Sequence, residues 1–128
     1  EIREVPSATI DGMDIAIKLV LILHFIGLAG IIGGWLATIK APRVNKGILH
    51  GSILALVAGL ILVTLRELQD EVELNHMKIG IKLLVALVIL VVAIIGVRKE
   101  ARAEGSTATL AHTAGILGIV NVAIAVLV

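Results

Sequence analysis

Four apolar stretches dominate the chain: Ile15–Ile39, Gly47–Leu65, Ile79–Val97 and Leu110–Val128. Each is roughly 19–25 residues long, and a helix needs about 20 to cross a bilayer. Lipid offers the backbone no hydrogen bonds, so only helices and closed barrels span it. The runs are continuous rather than alternating, which selects helices over barrel strands. The sequence therefore predicts an all-α fold: an integral membrane, up-down bundle of four transmembrane helices, forming a single domain over residues 1–128.

Composition closes off the alternatives. The 128 residues are 59% hydrophobic and 16% charged, with a mean hydropathy of +1.10. A soluble domain is about half apolar and about a quarter charged, and a chain this short has little interior in which to hide an excess. An ordinary soluble domain and a disordered chain are both excluded. The net charge of +1, carried by scattered basic residues, points to no nucleic-acid partner. The absence of cysteine removes thiol exchange, thiolate metal sites and cysteine-held iron–sulfur clusters. The segment Glu1–Asp14 lacks the basic start and apolar core of a signal peptide, and the missing initiator Met implies processing or trimming.

Local signals agree with the helix boundaries. Asp11 or Asp14 is a candidate cap for the first helix, Asn45 for the second and Asn75 for the third. Gly105 stops the third, and Ser106, Thr107 or Thr109 is a candidate cap for the fourth. Short connections favour antiparallel neighbours. Loop charge sets the expected orientation. Lys40, Arg43, Lys46, Arg98, Lys99 and Arg102 fall on one side, with only Glu100 and Glu104 as acids. The other side holds five bases against eight acids. Loops 40–46 and 98–109 are expected in the cytoplasm, both termini outside, and the host is expected to be the cell membrane.

Glycine is concentrated on helix faces. Gly27, Gly30 and Gly34 lie within a stripe about 60° wide, Gly51, Ala55 and Gly59 repeat every fourth residue, and Gly115 and Gly118 share a face with Val122. Small residues let backbones approach closely in lipid. One reading is packing among these four helices; the other is a groove for a flat cofactor or a partner's helix. Aromatics are nearly absent, and Trp35 sits near the cytoplasmic end of the first helix, where an interfacial anchor belongs.

Polar residues inside the membrane carry what functional information there is. At about 1.5 Å per residue from each midpoint, His24 lies roughly 4–5 Å outside the midplane, Asn121 roughly 3 Å and Lys82 roughly 9 Å outside, while His50 and His112 lie roughly 9–10 Å inside. His24, Lys82 and Asn121 form an outer polar set from three helices, in which Lys82 either snorkels outward or finds an acceptor in His24 or Asn121. His50 and His112 lie at equal depth on helices diagonal in a sequential bundle, the arrangement of bis-histidine haem ligation. Their other reading is as near-interface hydrogen-bonding residues. No Asp or Glu is embedded in the apolar runs, which counts against proton-coupled exporters and proton rings. No hydrolase triad, H-E-x-x-H motif or phosphate loop is present.

The stretch Leu23-His24-Phe25-Ile26-Gly27, with Gly33-Gly34-Trp35, resembles the first helix of CopD/HemJ-like membrane proteins. The segment from Lys82-Leu83-Leu84-Val85 to Arg98 looks like their later helix. That resemblance implies copper- or porphyrin-linked chemistry with His24 and Lys82 in the functional positions. Trp35 departs from it, flanked by Gly34 and Leu36 where HemJ-type proteins place an arginine. In size, topology and acidic outer loop the chain is also similar to small accessory subunits of actinobacterial respiratory supercomplexes.

Together these readings predict a small polytopic protein that lacks catalytic machinery. It is expected to be an accessory subunit packed against other integral membrane subunits, of a respiratory electron-transfer complex above all. Gly27, Gly30, Gly34, Gly51, Gly59, Gly115 and Gly118 are its candidate partner-packing positions. No cofactor is expected under that reading. The alternatives are a haem b or porphyrin protein using His50, His112 or His24, and a small transporter.

Overall fold

A computed structural model describes residues 7–68 and 76–127. It contains four helices: α1 (Ser7–Ala37), α2 (Lys46–Glu67), α3 (His76–Ala101) and α4 (Ala108–Leu127). The spans Gly12–Ala37, Lys46–Glu67, His76–Ala101 and Ala108–Leu127 hold 26, 22, 26 and 20 residues. At about 1.5 Å per residue, each reaches across the roughly 30 Å hydrocarbon layer. The protein is an all-α, four-helix, multi-pass membrane protein.

The boundaries differ from expectation mainly at α1. This helix starts at Ser7, so Asp11 and Asp14 lie within it and do not cap it. Asn45 caps α2 as expected: its Oδ1 accepts the Ile48 N–H at 3.0 Å. Asn75 lies outside the described residues. At α4, Ser106 Oγ accepts the Ala108 N–H at 3.1 Å.

Each helix packs on its chain neighbours, and α4 closes the ring against α1. Contacts that run in opposite senses fix the antiparallel register. Along α1, Gly27 meets Ala55, Gly30 meets Gly51 and Gly34 meets Ile48. On the far side Ile31 meets Gly118 and Trp35 meets Gly115. Along α3 and α4, Asn121 meets Lys82 and the Lys78 Nζ donates to the Ala125 carbonyl at 3.4 Å. The core is small: Ile31, Ile48, Ala55, Ile89, Ala93, Ala111 and Ala114, with Val44 from the α1–α2 loop. The large apolar side chains mostly point outward, among them Ile22, Phe25, Leu60, Leu84 and Ile119. A soluble fold inverts that arrangement; lipid accommodates it, because acyl chains solvate Leu and Ile as well as a protein core does.

Candidate functional site

The backbones of α1 and α2 approach each other closely. A Cβ on Gly27 would lie 2.5 Å from the Ala55 nitrogen, and one on Gly51 would lie 2.6 Å from the Gly27 carbonyl oxygen. A Cβ on Gly30 would lie 3.1 Å from the Gly51 Cα, and one on Gly34 2.9 Å from Asn45 Oδ1. Glycine therefore lets the two backbones touch. Gly27, Gly30, Gly34 and Gly51 face their own chain's helices. Gly59 leaves room for the His24 ring, whose Cε1 would be 3.3 Å from an added Cβ. Gly115 makes room for the Trp35 indole, and Gly118 for Ile31 and Ile32. The outward-facing helical glycines are Gly12, Gly33 and Gly80, where a Cβ would meet nothing within 4 Å.

The four histidines take four different roles. The half-buried His24 donates from Nδ1 to the Ala55 carbonyl at 2.8 Å, because a carbonyl only accepts. Its Nε2 is left as the acceptor. His112 is half-buried, and its Nδ1 accepts the Trp35 indole N–H at 3.1 Å. Indole only donates, so His112 carries its proton on Nε2. The two rings meet edge-on, with centroids 6.1 Å apart. Trp35 is thus an internal tie between α1 and α4 as well as a residue near the membrane boundary. His76 Nε2 pairs with Glu67 Oε1 at 3.0 Å, linking the ends of α2 and α3 at the surface. His50 is exposed on the outer face of α2 beside Ile53, Leu54 and Val57. Among the described residues it has no hydrogen-bond partner.

The structure does not bring His50 and His112 together. One points away from the bundle and the other is held by Trp35 inside it. In the outer set, Asn121 meets Lys82 through the backbone: Asn121 Nδ2 donates to the Lys82 carbonyl at 3.2 Å. Asn121 Oδ1 is buried without a hydrogen-bond partner among the described residues. His24 is bound to α2, and no hydrogen bond joins it to Lys82 or Asn121 among the described residues. There is no group of three His, Cys, Asp or Glu side chains among the described residues that would hold a metal ion.

A second polar network, not anticipated from the sequence, ties the two loops at the basic end. Thr107 is buried, accepts the Val44 N–H at 2.9 Å and donates to Glu100 Oε2 at 2.6 Å. Asn45 Nδ2 donates to the Gly34 carbonyl at 2.9 Å while its Oδ1 caps α2. Val44 fills the space left by Gly96. The cap signal at Asn45 was visible in the chain, whereas the second partner of each residue depends on tertiary placement.

Compared with known protein families, curated proteins and solved structures, the chain gives no match. The functional reading therefore rests on these residues.

Proposed function

We propose that the protein is a non-catalytic accessory subunit of a larger integral membrane complex. A respiratory electron-transfer complex is the host implied by its similarity in size and topology to supercomplex subunits. The observation that carries the reading is His50. Its imidazole sits on the outward face of α2, among Ile53, Leu54 and Val57. It lies roughly 9–10 Å from the midplane, inside the roughly 15 Å half-thickness of the hydrocarbon layer. A polar side chain there needs a partner that acyl chains cannot supply, and a neighbouring subunit supplies one. The interior polar groups support the same reading, because they join helix to helix: Trp35 to His112, His24 to Ala55, and Asn121 to Lys82.

The test is extraction from native membranes in mild detergent, followed by sizing with absorbance at the Soret band. The expected result is a large particle containing other subunits, from which a His50→Leu variant is lost while still folding as a bundle. An unchanged particle with His50→Leu would remove His50 as the contact. A small particle carrying stoichiometric haem would replace the reading with a porphyrin-binding one.

A further inference from the structure

The two loops at the basic end and the helix turns that flank them carry six cations, Lys40, Arg43, Lys46, Arg98, Lys99 and Arg102, at one end of the bundle. Among the described residues none of them has a carboxylate within salt-bridge distance. Glu100, the nearest acid in sequence to Arg98 and Lys99, is held by Thr107. That end therefore keeps its positive charge.

At one point that charge borders a concave surface. Leu36, Ala37, Thr38, Ile39, Lys40, Ala41 and Arg43 line an open groove of about 480 Å³ at the end of α1. Leu36 and Ile39 are exposed in it, at 53% and 44%. The turn is shaped by Thr38, whose hydroxyl faces the Gly34, Trp35 and Arg43 carbonyls at 3.3, 3.4 and 3.4 Å. Leu36 lies in the last turn of α1, and Lys40 and Arg43 follow the helix end by three and six residues. An ammonium and a guanidinium at that level match a phosphate group, while the Leu36 and Ile39 wall matches acyl chain. A water-soluble anion would use the cations and leave the wall uncovered.

We infer that this groove binds an anionic phospholipid, with the phosphate at Lys40 and Arg43 and an acyl chain along Leu36 and Ile39. The inference is independent of the accessory-subunit reading, since it needs no other protein.

Native mass spectrometry of the purified full chain, with phosphatidylglycerol and phosphatidylcholine supplied in equal amounts, tests it. The expected result is retention of phosphatidylglycerol over phosphatidylcholine by about thirtyfold, the scale set by two juxtamembrane cations. A Lys40→Gln/Arg43→Gln variant is expected to lose most of that preference. An Arg98→Gln/Arg102→Gln variant, which removes the same charge from the end of α3 and the loop after it, is expected to keep it. Equal loss in both variants would show a diffuse charge effect and overturn the site. So would an absent preference in the wild type, or displacement of the lipid by excess inorganic phosphate. All four substituted side chains are exposed, so the variants remove charge without disturbing the core.

Discussion

Gly27 and Gly51 have no room for a side chain, because each sits against the other helix's backbone. Gly27→Ala would bring a methyl group to 2.5 Å from the Ala55 nitrogen, and only separation of α1 from α2 relieves that clash. The expected loss is about 1–3 kcal/mol, read as a lower unfolding midpoint in detergent. Gly33→Ala is its control. It adds the same methyl in open space, and the gain in helix propensity makes it neutral or stabilising by up to about 1 kcal/mol. If both variants behave alike, close backbone packing is not what holds α1 to α2. Asn121 poses the opposite case. Its buried Oδ1 has no partner, and such a group costs about 1–3 kcal/mol. Asn121→Leu removes that cost along with one bond to the Lys82 carbonyl, a group that also lies within the helical ladder of α3. Thermal unfolding of Asn121→Leu is expected to match or exceed the wild type. A marked loss would mean that Oδ1 has an occupant.

At the scale of the element, helix ends depend on backbone geometry. After α3 the Ala103 N–H donates to the Glu100 carbonyl and the Glu104 N–H to the Lys99 carbonyl, both at 3.1 Å. This double closure places Ala103 at a left-handed φ of 52°, where glycine is the usual residue. Ala103→Gly is expected to stabilise the bundle by about 1 kcal/mol, visible as a raised unfolding midpoint. Thr107→Val keeps the side chain's shape but removes its oxygen. It leaves the Val44 N–H without the acceptor it has in the wild type, with an expected loss of about 1–3 kcal/mol.

These elements also show what the chain discloses. Span length and hydropathy revealed four helices because a bilayer imposes a minimum run, and Asn45 revealed a start because its side chain must accept an orphan N–H. The facing of His50 and His112 was not legible. Helices that are apolar all round carry no amphipathic signal to show which side is inward, so equal depth suggested a pair that rotation about the helix axes keeps apart. The glycine stripes were legible as close-approach faces. Their partners were not, because a stripe reads the same against an internal helix as against an external one.

For the whole molecule, the distribution of charge is the remaining determinant. The basic end holds six cations that have no ion pair among the described residues, and the opposite end carries the Glu67–His76 and Asp14–Lys18 pairs. Lys and Arg resist translocation far more than Asp and Glu do, so the expected orientation has the basic end in the cytoplasm and both termini outside. Introduced thiols test this cleanly, since the chain has no cysteine of its own. Ala41 and Ala101 are exposed at the basic end, and Gly12 and Met77 at the other. None of the four carries charge, so replacing them leaves the topology signal intact. In intact cells, an impermeant maleimide is expected to label Gly12→Cys and Met77→Cys, and to reach Ala41→Cys and Ala101→Cys only after permeabilisation. The reverse pattern would invert the orientation while keeping the bundle. Labelling of both Gly12→Cys and Ala41→Cys in sealed cells would be a deeper contradiction, because the span Gly12–Ala37 lies between those two positions and would then fail to cross the membrane.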